Sequence, residues 1–219
     1  MVNSPLRHDL VWLDPAQAGT LEVEPAFRPA VARWLADGWP AVAARRVDGT
    51  RAGMTCLGIP LPPSRGRARI ALRAPARAMS RRRPPLRLAE VIASAPPERR
   101  GALEALHAEA CGLGMVLRVH GSLAWQHLTG EPYVTASSDL DLLLDAGSRW
   151  QLGAALRMLQ LWELRTGLVA DAELRLPGGG VAWRELVSGA GQVLVKQEAG
   201  AALMSRDEVM ATLPAGGAP

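Results

Sequence analysis

Two spacings alternate along the chain. Short runs place apolar residues at every second position, the period of a half-buried strand, while longer runs repeat every third or fourth position, the period of a helix laid on a core. Residues 10–13 (LVWL) read as a strand. Residues 30–36 have helical spacing with Gly38 as a stop, and residues 41–47 alternate up to a hairpin signal at Asp48 and Gly49, beyond which residues 54–59 form the pairing strand. In the second half, residues 86–94 and 98–111 read as helices, stopped by Pro96 and Pro97 and by Gly112. A strand over 115–119, a short helix LAWQHL and a strand over 139–144 follow. Ser148 caps a helix through Arg165, with Leu152, Ala155, Leu156, Leu159 and Trp162 on one side and Gly167 at its end. Residues 169–176 (VADAELRL) alternate cleanly, with Ala170, Ala172, Leu174 and Leu176 on one face and Asp171, Glu173 and Arg175 on the other. Residues 181–187 (VAWRELV) suit strand or helix equally. Residues 193–195 lead as a strand into Lys196, Ser205 with Glu208 forms a capping box for a last helix, and the terminal LPAGGAP is expected to fray.

The order of elements predicts an α+β protein: a mixed sheet flanked by helices, preceded by a smaller, mainly β domain. Arg81, Arg82 and Arg83 before Pro84 and Pro85 read as an exposed linker, which divides the chain into residues 1–80 and residues 86–213. A length of 219 residues gives each part enough chain for its own core. Hydrophobic residues at 48% and charged residues at 21% argue against disorder. No apolar run approaches the roughly 20 residues of a membrane span, and the first residues lack a leader pattern, so a cytoplasmic protein is expected. Cys56 and Cys111 have no ligand-spaced partners and read as small buried apolar residues. The net charge is +4, yet of 25 basic residues only Lys196 is a lysine, which looks like a compositional bias towards arginine. Aromatic residues do not interleave with those arginines, so nucleic acid is not an expected partner.

The stretch from Val119 to Asp145, VHGSLAWQHLTGEPYVTASSDLDLLLD, concentrates the candidate chemistry. Asp139 and Asp141 at i and i+2 on a strand share a face, about 6.6 Å apart along the chain. Acids on so apolar a strand cost several kcal/mol unless paired or coordinated. Gly121 and Ser122, between a strand and a helix, offer backbone N–H groups and a helix N-terminus to phosphate oxygens. Asp171 on a further strand completes three carboxylates beside a phosphate-binding turn, a pattern suited to two Mg²⁺ ions and phosphoryl or nucleotidyl transfer. Asp171 is either a third ligand or the base for the nucleophile's proton. Lys196 is a candidate phosphate contact. Arg65, Arg67 and Arg69 alternate and would form one cationic strand face. Arg7 and His8 are further candidates for contact with substrate or partner, although a histidine so near the terminus is more simply a surface residue.

Gly-Ser followed by D-x-D and a separate acid resembles the polymerase-β-like nucleotidyltransferase superfamily. More narrowly, RHDLVWL at 7–13, HGSLAWQHLTG at 120–130, SSDLDLLL at 137–144, ADAEL at 170–174 and VLVK at 193–196 resemble the phosphoribosyl-dephospho-CoA transferase family of malonate decarboxylase, its holo-acyl-carrier-protein synthase. The resemblance implies a triphosphoribosyl-dephospho-CoA donor and a serine of the apo acyl carrier subunit as acceptor, with diphosphate released. It assigns Asp139 and Asp141 as the catalytic acids, Gly121 and Ser122 to the triphosphate, and Asp171 to the third acid's place. The basic N-terminal domain would receive the CoA portion or an acidic carrier protein. Two alternatives stay open: a generic NTP-dependent nucleotidyltransferase acting on a protein or small hydroxyl, and a non-catalytic nucleotide-binding module. The segment QEAGAALMS after Lys196 departs from the family's pattern.

Overall fold

The computed structural model describes residues 5–47, 49–177, 179–197 and 200–216. Asp48 of the expected hairpin signal and the last three residues of the terminal segment lie outside them. The chain forms two compact units. One comprises Met1–Pro85 with Leu128–Tyr133, and the other comprises Leu86–His127 with Val134–Pro219.

The first unit is an antiparallel sheet around one helix. Its strands are β1 (Leu10–Leu13), β2 (Glu22–Val23), β3 (Ala41–Ala43), β4 (Met54–Pro60), β5 (Arg69–Pro75) and β6 (Met79–Arg83), with α1 (Arg28–Ala36) between β2 and β3. The spatial order is β2-β5-β4-β3-β1-β6. Alternation places Ile70, Leu72 and Ala74 of β5 and Leu57 and Ile59 of β4 in the core, and Trp34 of α1 is fully buried, its indole N–H donating to the Pro40 carbonyl at 2.9 Å.

Three expectations fail in this unit. Arg81–Arg83 is not a linker but most of strand β6, paired antiparallel with β1. The arginines are tolerated there because their side chains find partners: the Arg81 guanidinium lies 4.3 Å over the Trp12 ring, and Arg82 lies 3.7 Å from the buried Asp9 carboxylate. Arg65, Arg67 and Arg69 do not share a strand face. Pro63–Arg65 is a 3-10 turn, Gly66 and Arg67 both take positive φ, and β5 begins only at Arg69. The cause is local, since Pro62 and Pro63 donate no ladder hydrogen bond and the Pro62 carbonyl gathers the N–H groups of Arg65 and Arg67. The alternating run at 41–47 also stops early, at Ala43.

The segment Leu128–Tyr133 reaches this unit from far along the chain. Glu131 accepts from the Arg65 guanidinium at 3.4 Å, and Arg65 also pairs with Asp37 and stacks on Trp39. The Tyr133 hydroxyl donates to the Pro60 carbonyl at 2.7 Å. Burial, and then the Glu131 charge, push the Tyr133 phenol well above its ordinary range.

The second unit is a seven-stranded mixed sheet. Its strands are β7 (Leu86–Arg87), β8 (Leu117–Val119), β9 (Leu140–Asp145), β10 (Ala170–Leu176), β11 (Gly179–Ala182), β12 (Gln192–Gln197) and β13 (Gly200–Ser205), in the order β13-β12-β11-β10-β9-β8-β7. Among the described residues only β9 and β10 pair in parallel. Their crossover is α5 (Arg149–Thr166), capped by the Ser148 hydroxyl and ended by Gly167 in the left-handed conformation. The other helices are α2 (Leu88–Val91), α3 (Pro97–Gly112), α4 (Gly121–Thr129), α6 (Trp183–Val187) and α7 (Arg206–Ala211). Leu140, Leu142 and Leu144 of β9 and Ala170, Ala172 and Leu174 of β10 are buried, and so are the apolar stripes of α3 and α5. The helices cover that face of the sheet.

Several boundaries depart from expectation here. Residues 86–87 join the sheet before the helix begins. The ambiguous 181–187 run is strand up to Ala182 and helix from Trp183, whose indole donates to the Ala170 carbonyl at 3.0 Å. The segment after Lys196, given no element, supplies strand β13, which pairs along all of β12. Cys56 is buried as expected, but Cys111 is exposed on α3. Among the described residues no helix is long and apolar enough to cross a membrane.

Replacing Tyr133 by Phe removes one hydrogen bond and leaves the Pro60 carbonyl without it, at an expected cost of about 1 kcal/mol in denaturant unfolding. The sign of the pH effect follows from the raised phenol pKa. Below the unfolded value of about 10 the neutral phenol's stabilisation is complete, and it declines as the pH rises above that value. Tyr133→Phe therefore lacks this alkaline component, and unfolding curves collected on both sides of pH 10 measure the difference.

Candidate active site

The face of the second sheet opposite the helices carries its charge. Strand alternation puts Asp141, Leu143 and Asp145 of β9 there, beside Asp171, Glu173 and Arg175 of β10. The parallel register pairs Asp171 with Asp141, Glu173 with Leu143 and Arg175 with Asp145. The sheet thus holds the Asp141 and Asp171 backbones on adjacent strands, about 4.8 Å apart, with both side chains on one face. Asp145 and Arg175 neutralise each other in a two-pronged pair at 2.7 and 2.6 Å.

Asp141 is the more firmly held of the two D-x-D acids. Its carbonyl accepts from the His120 N–H at 3.1 Å, and its carboxylate lies 3.8 Å from the His120 imidazole. Gly121 follows at φ 63°, and a Cβ built there would sit 1.8 Å from Asp141 Oδ2. No side chain fits, so glycine is required twice, for its backbone conformation and for the carboxylate packed against it. Helix α4 starts at Gly121, two residues earlier than its expected start after the Gly-Ser pair, and Ser122 stands half-buried in its first turn. Asp139 lies one residue before β9 and is exposed. The ladder reaches as far as Leu140, whose N–H donates to the Val169 carbonyl at 2.8 Å.

Lys196 is on the same face but is held by a carboxylate, with Nζ 3.5 Å from Glu173 Oε2. The register explains the contact. Gly180 of β11 stands opposite both Arg175 and Lys196, and a Cβ there would meet Glu173 Oε1 at 2.7 Å. The Glu173 side chain therefore lies across the glycine, which opens the way from β10 to β12. Alternation in ADAELRL marks the face of Glu173. Its partner depends on the β10-β11-β12 register, which no local pattern encodes.

The remaining sequence candidates belong to the first unit. Arg7 is exposed in the turn before β1. His8 takes φ 73° with its N–H donated to the Ala43 carbonyl, and so is partly buried beside β3 rather than a free surface residue. Arg65 is engaged by Asp37 and Glu131, and Arg67 is exposed in the turn before β5.

Asp139, Asp141 and Asp171 offer hard oxygen donors of the kind Mg²⁺ takes. Among the described residues no three His, Cys, Asp or Glu side chains converge closely enough to hold an ion by themselves. Mg²⁺ is commonly held by one or two carboxylates, with water and substrate phosphate oxygens completing its shell. A donor set built from two adjacent strands beside a glycine turn suits an ion that arrives with a polyphosphate.

Known proteins resemble this chain along most of its length. Residues 6–85 match the phosphoribosyl-dephospho-CoA transferase MdcG N-terminal domain, and residues 87–207 match the MdcG C-terminal domain. A protein of Xanthomonas campestris pv. campestris strain 8004, named phosphoribosyl-dephospho-CoA transferase, is 47% identical over 201 residues, covering 91% of this chain and 94% of its own. Proteins of the same name from Bradyrhizobium diazoefficiens and Pseudomonas aeruginosa PAO1 are 34% and 33% identical, covering 93% and 88% of this chain and 92% and 88% of their own. No solved structure matches.

Gly121→Ala tests the packing on Asp141. The new methyl must push the carboxylate aside, and a displacement of that size is expected to lower the transfer rate by about 10²-fold with the circular dichroism unchanged. Steady-state rates beside wild type check it.

Proposed function

The chain belongs to the phosphoribosyl-dephospho-CoA transferase family, and from that premise we propose that it moves a phosphoribosyl-dephospho-CoA group from a 5″-triphosphate donor to a serine of the apo acyl carrier subunit of malonate decarboxylase. The observation that carries the proposal is the Asp141–Asp171 register pair, with Gly121 packed against the first of the two acids. Carboxylates side by side on one open face, next to a strand-to-helix turn, suit a reaction at a triphosphate.

The serine Oγ attacks the donor's α-phosphorus. The bond from that phosphorus to the α,β-bridging oxygen breaks, diphosphate leaves, and the hydroxyl proton passes to a base. Asp171, exposed next to Asp141, is placed to accept that proton or to serve as a ligand. Asp139, Asp141 and Asp171 would hold two Mg²⁺ ions, which supply charge neutralisation of the triphosphate and a lower pKa for the attacking hydroxyl. Gly121 and Ser122 at the start of α4 present backbone N–H groups to phosphate oxygens. Lys196 adds a point charge once a phosphate competes with Glu173 for it. The polymerase-β-like nucleotidyltransferase fold is the architecture this site fits: acids on the open face of a mixed sheet, helices behind it.

The decisive measurement is the intact mass of the apo carrier subunit after incubation with the protein, Mg²⁺ and the donor, with NTPs offered in a parallel reaction. Addition of the phosphoribosyl-dephospho-CoA group is expected. Addition of a nucleoside monophosphate instead would identify an NTP-dependent nucleotidyltransferase. Asp141→Asn and Asp139→Asn are each expected to lower the rate by at least about 10²-fold, in line with the loss of preorganised charge stabilisation, while the fold survives. Wild-type turnover by either variant would defeat the assignment.

A further inference from the structure

Asp139 is the acid the strand does not hold. Asp141 lies within β9 and against Gly121, whereas Asp139 is exposed at the end of a loop, one residue ahead of the strand. A catalytic carboxylate there needs another source of order, because an exposed side chain at a loop end samples several rotamers and pays entropy to settle into one.

Helix α3 provides that order. Arg99, half-buried in its first turn, donates from Nη1 to the Ser138 carbonyl at 2.7 Å, and from Nη2 to the carbonyls of Thr135 at 3.1 Å and Ala136 at 2.7 Å. Three main-chain acceptors within four residues therefore converge on one guanidinium. The loop is tied within itself as well, since the Thr135 N–H donates to the Ser138 hydroxyl at 2.9 Å and the Ser138 N–H to the Thr135 carbonyl at 3.1 Å. Its start is fixed from α4, where the Gln126 amide accepts from the Val134 N–H at 3.0 Å and donates to the Ser94 carbonyl at 2.7 Å. Arg99 and Asp139 border the same small cavity.

We infer that Arg99 is a positioning residue: its guanidinium gathers the 135–138 loop and so sets the direction in which Asp139 leaves it for the shared acidic face. The planar fork reaches these three carbonyls from two separate nitrogens, whereas the three N–H donors of a lysine radiate from one nitrogen on a flexible stem and do not span the same fixed positions. Gln126 assists by fixing the loop's other end. The role concerns binding of the divalent cation rather than contact with the substrate. It rests on the proposed function of the acids but makes a separate claim about what orients them.

The test uses Mn²⁺ with inorganic tripolyphosphate, followed by titration calorimetry on the full chain, and carrier-modification kinetics alongside. Arg99→Ala is expected to weaken Mn²⁺ binding and to lower kcat by about 10- to 100-fold, the usual range for a group that orients a metal-binding side chain. KM for the carrier should stay within about twofold, since no substrate contact is lost, and added guanidinium should restore part of the activity of this variant. Arg99→Lys covers the possibility that the alanine variant does not fold. It should keep the thermal unfolding midpoint near wild type while still losing Mn²⁺ affinity. Wild-type Mn²⁺ binding and kcat in a folded Arg99→Lys or Arg99→Ala protein would overturn the inference and leave the role of the acids intact. Failure of the wild-type protein to bind Mn²⁺ with tripolyphosphate would remove both.

Discussion

The site of the second unit depends on a steric fit of two residues, Gly121 against the carboxylate of Asp141. A strand must end, turn at a positive φ and begin a helix in the space left by an acid on the neighbouring strand. Any side chain at the turn would expel the carboxylate. Holding that acid brings the rest of the site with it: its carbonyl takes the His120 N–H, its strand takes β10 in parallel, and the parallel register delivers Asp171 next to it. Parallel pairing needs a crossover, and α5, with Ser148 and Gly167 as clean ends, supplies one that also covers the apolar face.

Charge on the open face is arranged in pairs rather than left to repel. Asp145 is satisfied by Arg175 and Glu173 by Lys196, while Asp141 faces the His120 imidazole and Asp171 lies exposed beside it. Buried apolar residues build the opposite face, so the site costs little core. The first unit uses its arginines differently. Arg65, Arg81 and Arg82 spend their charge on Asp37, Glu131, Trp12 and Asp9 within the unit, and are therefore structural there before they can be anything else.

How much of this was legible before folding can be judged element by element. The β10 alternation, the Ser148 cap and Gly167 stop, and the Ser205–Glu208 capping box are local codes, and the structure contains each of them. The strand at 69–75 was obscured because arginines at alternate positions look the same on paper whether or not a proline turn precedes them. Three consecutive arginines before two prolines read as a solvated linker, whereas aromatic stacking and a buried acid stabilise them in strand β6. Strand β13 had no pattern of its own: its ends are set by pairing with β12.

The sequence by itself determined the α+β class, the family, and the candidate acids with the glycine turn, because those depend on residue type and short spacing. Only the tertiary structure decided that Asp171 lies beside Asp141, that Lys196 reaches Glu173 over Gly180, and that Arg99 reaches the loop before Asp139. Each of those contacts joins residues more than twenty positions apart. Strand register and helix packing create them, and neither is written in any window of the chain.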